Sequence, residues 1–231
     1  MKIVKDNFIS KHLNIKSYIL NLNKEKTFNQ IEKIKKPYFL TLKSNHSINL
    51  KQKKERKIYF ICKQITFCKT KKFNTPLLEN NCFFAKKSDL SNLKKICLEK
   101  TSNSRFVQDQ NLPSKFKENL RYNWLKNFFL KKRGNYLVIY KKKRIKGFVL
   151  LLKKKNKLII DLIVIGKKDQ NKGIGKILIK YIENKLMKKG DLILAGTQSN
   201  NKSAVKFYKK LQFKKKQSKY VYHVFYPKKL S

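Results

Sequence analysis

The stretch DQNKGIGKILIK, residues 169–180, contains two of the seven glycines of this 231-residue chain, Gly173 and Gly175. It follows the apolar run KLIIDLIVIG (157–166) and leads into residues whose apolar positions have helical spacing. Glycine lets the backbone turn sharply or approach a ligand closely. Backbone N–H groups at the start of a helix form a site for an anion such as a pyrophosphate. The stretch therefore predicts a strand, an anion-binding loop and a helix, in that order.

Two common glycine loops do not fit these residues. A nucleotide-binding P-loop needs Lys and then Ser or Thr after its last glycine, but Lys176 and Ile177 follow Gly175. A dinucleotide-binding loop needs a third glycine where Leu178 stands. The pattern that remains is Gln170-x-x-Gly173-x-Gly175 between a buried strand and a long helix.

The periodicity of the flanking sequence predicts an α/β fold with a mixed sheet. Alternating or continuous apolar runs predict strands, and apolar residues three or four positions apart predict helices. Ser88 is the predicted N-cap of the first helix, and Gly190 the predicted C-cap of the helix that begins near Gly173. Between residues 82 and 226 the predicted order is β α α β β β α β α β. Before residue 80, the runs 37–43, 57–63 and 65–69 predict short strands, and residues 71–81 a linker.

The glycine loop in this setting resembles the acetyl-CoA signature of the GNAT superfamily of N-acetyltransferases, Q/R-x-x-G-x-G/A. A second segment, Asn201-x-x-Ala204-x-x-x-Tyr208, is similar to another motif of that family. It departs from the family pattern at Gln212, where glycine is usual, and we expect this change to affect the local helix cap. The order of the predicted elements also matches the family through residues 82–226.

A narrower resemblance connects four segments to the dTDP-fucosamine acetyltransferase group, which acetylates the 4-amino group of a nucleotide-linked deoxysugar. They are SRFVQD (104–109), the helix with Tyr122 and Trp124, GTQSNN (196–201) and YVYHVF (220–225). That group carries an additional N-terminal domain. The resemblance therefore implies a small N-terminal α/β domain at residues 1–80, of unclear role, and a GNAT domain at 82–231.

The resemblance implies acetyl-CoA as co-substrate. In the family the central strand separates from its neighbour, so that its free backbone groups pair with the pantetheine arm, and the loop amides hold the pyrophosphate. Asn201 is expected to bond the pantetheine arm, or simply to cap its helix. The implied coenzyme-binding residues are Leu162, Ile163, Val164, Ile165, Gln170, Asn171, Lys172, Gly173, Ile174, Gly175, Lys176, Asn201 and Tyr208.

Three residues are candidates for proton transfer. Tyr208 resembles the family's general acid, which protonates the coenzyme thiolate, although a tyrosine facing Ala204 on a helix also suits core packing. Asp161 is the only carboxylate on the central strand, and His223 is the only histidine of residues 82–231. Either could remove the proton of the amine, directly or through water, and either could equally be structural.

Arg105 and Asp109 lie in the predicted loop between the first two helices, and the resemblance implies that the acceptor is contacted from this position. If the acceptor is a nucleotide amino sugar, as in cell-surface polysaccharide biosynthesis, Arg105 could bind its phosphates; the alternative is a surface charge. A protein or ribosomal N-terminal acetyltransferase is a rival function. A basic nucleic-acid-binding protein on the same scaffold is another.

The formal charge of +46 comes from 59 basic and 13 acidic residues, and only five of the basic residues are arginine. Nucleic-acid sites draw heavily on arginine, so we expect no nucleic-acid partner and attribute the lysines to compositional bias. Neither the four cysteines nor the three histidines have metal-site spacing, and we expect no metal. No signal peptide or membrane span is expected, which favours the cytoplasm. The oligomeric state stays open, a homodimer included.

Overall fold

The computed structural model describes residues 3–22, 31, 34–48, 56–71, 81–99, 104–130 and 136–226. The strands within them are β1 (Val4–Lys5), β2 (Ser17–Leu22), β3 (Tyr38–Ser44), β4 (Lys57–Thr70), β5 (Cys82–Phe84), β6 (Tyr136–Lys141), β7 (Ile145–Lys154), β8 (Lys157–Ile165), β9 (Leu192–Gln198) and β10 (Lys214–Tyr226). The helices are α1 (Asn7–Leu13), α2 (Leu90–Leu98), α3 (Arg105–Gln108), α4 (Ser114–Phe129), α5 (Ile174–Leu186) and α6 (Lys202–Lys210).

All of these strands belong to one sheet, in the order β1-β2-β3-β10-β4-β9-β8-β7-β6-β5. Neighbouring strands are antiparallel except for two parallel pairs, β2 with β3 and β8 with β9. The second parallel pair flanks the glycine loop, because β8, the loop, α5 and β9 form a strand–helix–strand crossover. The predicted mixed α/β sheet is confirmed.

The sheet is covered on both faces. Helices α5 and α6 pack on one face, where Leu178 and Ile182 of α5 are fully buried against β7, β8 and β9. Helices α2 and α4 cover the other face over β6, β7 and β8, and α1, α3 and the start of α4 cover it around Phe39 of β3. Fully burying one such Leu or Ile stabilises the fold by about 1.5–3 kcal/mol. The core therefore holds in place the strand before the glycine loop, β8, and the helix after it, α5.

Helix α5 begins where the sequence predicts but ends earlier. Ile174, Leu178 and Ile182 recur every four residues and form its buried stripe. Gly173 is the N-cap, with a φ of 77°. The last helical residue is Leu186, and Gly190 lies in the turn before β9 with a φ of 86°. Gly190 is thus a turn residue, and its prediction as the helix C-cap is wrong.

Two other local predictions need correction. Ser88 is not the N-cap of α2, since it lies in a 3-10 turn (Lys87–Asp89) that Asp89 closes by accepting a hydrogen bond from the Lys86 amide at 2.9 Å. The two runs predicted as separate strands, 57–63 and 65–69, form the single long strand β4. The second correction arises because a local strand pattern does not report the neighbouring strands that extend an element.

The strands of the N-terminal region are part of the same sheet as the rest. β4 lies between β9 and β10, and pairs with β9 from Gln64 to Thr70. Phe67 of β4 is buried in the same cluster as α5 and α6. The two predicted domains, 1–80 and 82–231, therefore contribute strands to one sheet and do not form a sheet each. Whether they fold as separate units stays a prediction. Most of the predicted linker, residues 72–80, lies outside the described residues.

Candidate active site

The central feature of the site is an opening between β8 and β9. The two strands pair only from Lys157 to Ile160 on β8, although β8 continues to Ile165 and β9 to Gln198. A β-bulge marks the point of separation, because Leu150 pairs with Leu162 and Leu151 with Ile160. Bulges bend a strand away from its neighbour. The sheet is therefore parted at this point.

The edge of β8 that faces the opening is Leu162, Ile163, Val164 and Ile165. These residues pair with β7 on their other side, and three of the four are half-buried. Their backbone groups on the β9 side have no strand partner among the described residues. An extended chain could bind along such an edge by backbone hydrogen bonds. The resemblance implies that these four residues bind the coenzyme along such an edge, and that contact stays a prediction.

The loop that closes the opening, residues 166–173, is tied to the body of the protein by two carboxylates. Asp169 is buried, with Arg144 at 2.7 Å and both Lys146 and Lys172 at 3.9 Å. Glu99 accepts a hydrogen bond from the Lys167 amide at 2.6 Å. The sequence signals neither contact, because Arg144 and Glu99 are distant along the chain. Together they hold the loop in one shape.

The tip of this loop exposes a run of backbone amides. No acceptor in the described part of the chain receives the N–H groups of residues 170 to 176; the first internal bond of α5 runs from the Ile177 amide to the Gly173 carbonyl. The Gln170 side chain donates to the Ile165 carbonyl at 3.2 Å, and the Lys172 amine to the Lys168 carbonyl at 2.7 Å. Free amides at the positive end of a helix attract an anion.

The two glycines of the loop have different roles. Gly173 has a positive φ and open space around its Cα, which suits a turn beside a ligand. A Cβ on Gly175 would lie 2.9 Å from a ring carbon of Phe207 on α6. Gly175 is therefore required for the close packing of α5 on α6. The sequence did not indicate this contact.

Asn201 and Tyr208 lie at the start and near the end of α6. Asn201 is the N-cap, and its side-chain oxygen accepts from the Ala204 amide at 3.2 Å. Tyr208 is buried, with its ring 5.6 Å from that of Phe67 and 5.3 Å from that of Phe213. Burial raises the pKa of the Tyr208 phenol, so it stays protonated at neutral pH. Both side chains therefore have a structural role. The predicted contact of Asn201 with the coenzyme and the predicted proton transfer by Tyr208 stay predictions.

Asp161 and His223, the two predicted bases, lie in different places. Asp161 lies at the bulge where β8 leaves β9. His223 is on β10, separated from β9 by β4, and has no exposed surface. Its Nδ1 lies 2.6 Å from the Asp109 carboxylate, which also accepts from Asn111. Of the two, only Asp161 lies at the opening.

The His223–Asp109 pair is closed off from solvent. Burial lowers the pKa of His223 despite the opposing hydrogen bond, so the ring is neutral at pH 7 and donates from Nδ1. Burial by itself would raise the pKa of Asp109, but the hydrogen bonds from His223 and Asn111 outweigh it and the pKa is lowered. Asp109 thus supports His223. Its carboxylate is buried and has no exposed surface with which to make the predicted contact with the acceptor.

Arg105 is the first residue of the short helix α3, and its Cζ lies 4.3 Å from the centre of the Phe106 ring.

A groove of about 630 Å³ runs along α6, and the sequence did not indicate it. Its lining residues are Ser199, Lys202, Val205, Lys206, Lys209 and Lys210. No cluster of metal-ligating side chains occurs within the described ranges, and no helix there is long and apolar enough to cross a membrane.

Comparison with known proteins identifies the family of this chain. A family model described as an acetyltransferase (GNAT) domain matches residues 98–224. The spore coat polysaccharide biosynthesis protein SpsD of Bacillus subtilis (strain 168) is 26% identical over 122 residues, 52% of this chain and 42% of SpsD. The chain therefore spans less than half of that curated relative.

Solved structures share the fold at low sequence identity. A conserved protein of unknown function from Staphylococcus epidermidis ATCC 12228 superposes with a TM-score of 0.62 at 10% identity, over 92% of this chain and 84% of that one. A GNAT-family protein from Novosphingobium aromaticivorans DSM 12444 gives a TM-score of 0.58 at 9% identity, over 83% and 76% of the two chains. At such identities the likeness shows the fold alone.

Proposed function

This chain belongs to the GNAT family of acetyltransferases, and on that premise we propose that it transfers the acetyl group of acetyl-CoA to the amine of a nucleotide-linked amino sugar. The observation that carries the acetyl transfer is the parted sheet: a free strand edge at Leu162–Ile165 ends at the free amides of residues 170–176. The similarity of residues 104–109 and 196–201 to the dTDP-fucosamine acetyltransferase group, and the match to SpsD, support the amino sugar.

The donor site combines backbone and charge. Leu162 to Ile165 bond the pantetheine arm as an added strand, and the amides of Gln170 to Lys176 hold the diphosphate at the positive end of α5. The loop needs no large rearrangement to do so, because Asp169 and Glu99 already fix it. The lysine-lined groove along α6 offers a surface for the remaining phosphate of the coenzyme.

The proton transfers are assigned to two side chains. The amine nitrogen forms the new bond to the acetyl carbon as the carbon–sulfur bond breaks, so one proton leaves the nitrogen and one must reach the sulfur. Asp161 at the bulge takes the first, directly or through water, and Tyr208 supplies the second. The raised pKa of Tyr208 suits this role, since the phenol is protonated before the step.

The test is release of free coenzyme thiol from acetyl-CoA in the presence of a panel of amines. The panel holds 4-amino-deoxysugar nucleotides, the same sugars without the nucleotide, and peptides with free N-termini. We expect turnover with the sugar nucleotides. Turnover with peptides alone would make the chain a protein N-terminal acetyltransferase, and no turnover with any amine would contradict the proposal.

A further inference from the structure

One face of the adjacent strands β4 and β9 is an uncharged surface that solvent can reach. Phe67 of β4 and Ala195 of β9 pack in the cluster under α5 and α6. Because side chains alternate along a strand, the residues on either side of them face the other way. Those residues are Gln64, Thr66, Cys68 and Thr70 of β4, which pair in turn with Gln198, Gly196, Leu194 and Leu192 of β9.

This surface departs from the composition of the chain. All eight residues are half-buried or exposed, and none is charged, although 59 of the 231 residues of the chain are basic. Lysines return on the next strand, where Lys214 and Lys219 of β10 pair with Cys68 and Gln64. A charged side chain beneath an uncharged ligand would lose its water and gain no partner. An exposed surface without lysine in this chain therefore suits an uncharged ligand.

The described helices leave this surface open. Helices α2 and α4 cover β6, β7 and β8, and helices α1 and α3 cover the region around Phe39 of β3. The surface on β4 and β9 lies between these two groups of helices. Leu192 and Leu194 are half-buried and pack in none of the hydrophobic clusters of the described residues.

Part of the surface borders the opening between β8 and β9. The last residues that pair across these strands are Ile160 and Ala195. Asp161, to which the removal of the amine proton is assigned, is the next residue on β8, and Gly196 is the next on β9. The two cross-strand pairs of β4 and β9 at this end are named the neutral patch: Gln64 with Gln198, and Thr66 with Gly196.

The Gln64 side chain is held in one orientation across the neutral patch. Its oxygen accepts a hydrogen bond from the Lys43 amine at 3.1 Å. Its nitrogen lies over Gly196, 3.1 Å from the position that a Cβ at Gly196 would take. Gly196 is exposed, so a ligand that lies on it also lies beside the Gln64 nitrogen.

We propose that the neutral patch binds the sugar ring of the acceptor, with the Gln64 side chain donating to a ring hydroxyl and Gly196 leaving space for the ring. The inference rests on the proposed function, because it locates the acceptor of that reaction. A hydroxyl both donates and accepts hydrogen bonds, and so do the side chains of Gln64, Thr66 and Gln198. A ring bound there carries its amine to the opening beside Asp161. Because β4 precedes residue 80, the N-terminal region supplies part of the acceptor site.

The test is calorimetric titration of a 4-amino-4,6-dideoxysugar nucleotide into protein saturated with coenzyme A, which fills the donor site without transferring an acetyl group. Gln64→Met keeps the length of the side chain and removes its amide, and we expect it to weaken acceptor binding roughly 10-fold. Gly196→Ala should weaken it by a similar factor, because the added Cβ displaces the Gln64 nitrogen. The effects should be less than additive in the double variant.

Two controls separate loss of acceptor contact from damage to the fold. Acetyl-CoA affinity and the midpoint of urea unfolding should be unchanged in Gln64→Met and Gly196→Ala. Thr70→Val is the matched substitution, because Thr70 lies on the same face of β4, six residues from Gln64 and thus about 20 Å away. It should leave acceptor binding unchanged.

The outcomes distinguish this inference from the proposed function. If the native protein acetylates amino sugars and both Gln64→Met and Gly196→Ala bind them with native affinity, the neutral patch is not the acceptor site and the proposed function stands. An equal loss of acetyl-CoA affinity in the two variants would also overturn the inference. If the native protein neither binds nor acetylates any amino sugar, the proposed function is rejected and this inference falls with it.

Discussion

At the scale of single residues, Tyr208 combines an observed packing role with a proposed chemical one. Its ring lies against Phe67 and Phe213, while its phenol stays protonated because burial raises its pKa. The spacing from Asn201 made Tyr208 a candidate from sequence. Its burial was also expected, since Ala204 and Tyr208 share a helix face.

Tyr208→Phe keeps the ring and removes only the hydroxyl. We expect acetyl-CoA to bind with unchanged affinity, while turnover falls about 100-fold or more, the usual range for loss of a general acid. The measurement is thiol release alongside calorimetric titration of acetyl-CoA. Turnover close to that of the native protein would remove Tyr208 from the chemistry and leave it as a packing residue.

The two loop glycines allow a test by pairs of substitutions. Gly175→Ala should destabilise the protein by about 1–3 kcal/mol through overpacking against Phe207. Gly173→Ala should destabilise it by about 1–2 kcal/mol through left-handed strain without a clash. Phe207→Ala removes the ring that a Cβ at Gly175 would meet, so it should reduce the destabilisation caused by Gly175→Ala but not that caused by Gly173→Ala. The changes in the free energy of unfolding in urea should therefore be non-additive for Gly175→Ala with Phe207→Ala, and additive for Gly173→Ala with Phe207→Ala. Additivity in both pairs would contradict the assigned roles.

At the scale of elements, the strands and helices near the glycine loop could be predicted from sequence. The side-chain contacts that hold the loop against the rest of the protein could not. The apolar periods of residues 157–166 and 174–186 are local signals. Asp169 with Arg144 and Glu99 with the Lys167 amide depend on loops that meet only in the folded chain. Asp109 and His223 are 114 residues apart, and neither residue carries a local sign of the pairing.

The His223–Asp109 pair predicts how stability depends on pH. His223 has a lowered pKa in the fold, so the unfolded chain binds more protons below pH 6.5 and stability falls as the pH drops through that range. Asp109 also has a lowered pKa, and its contribution is lost below about pH 4. We expect His223→Gln to flatten the stability curve between pH 6.5 and 5, measured by urea unfolding.

His12 is the control for this titration, because burial and nearby lysines also lower its pKa although it is only half-buried. His12→Asn should therefore flatten the curve less than His223→Gln. An unchanged slope in His223→Gln would show that His223 does not titrate on unfolding as the structure requires.

At the scale of the whole molecule, the insertion of an N-terminal strand into the sheet was not predictable. The runs of β4 indicated strands, but a strand pattern does not name its neighbours, and a resemblance to a family with an additional N-terminal domain favoured a separate unit. In the structure β4 separates β9 from β10 and contributes Phe67 to the core. Residues on both sides of position 80 therefore depend on one another.

Deletion of residues 1–80 tests this dependence. The remaining chain would leave the long edges of β9 and β10 unpaired and the Tyr208 ring without Phe67. We expect residues 82–231 alone to be unfolded or aggregated, and co-expression with residues 1–80 to restore folding, as followed by circular dichroism. A stable, cooperative fold of residues 82–231 alone would instead support the two-domain division.

The central claim, that the amides of residues 170–176 hold the diphosphate of acetyl-CoA beside the parted strands, is tested most directly by calorimetric titration of the intact protein. The account predicts saturable binding of one acetyl-CoA per chain, and competition by inorganic pyrophosphate for the same site. Absence of binding, or binding that pyrophosphate leaves unaffected at any concentration, would contradict it.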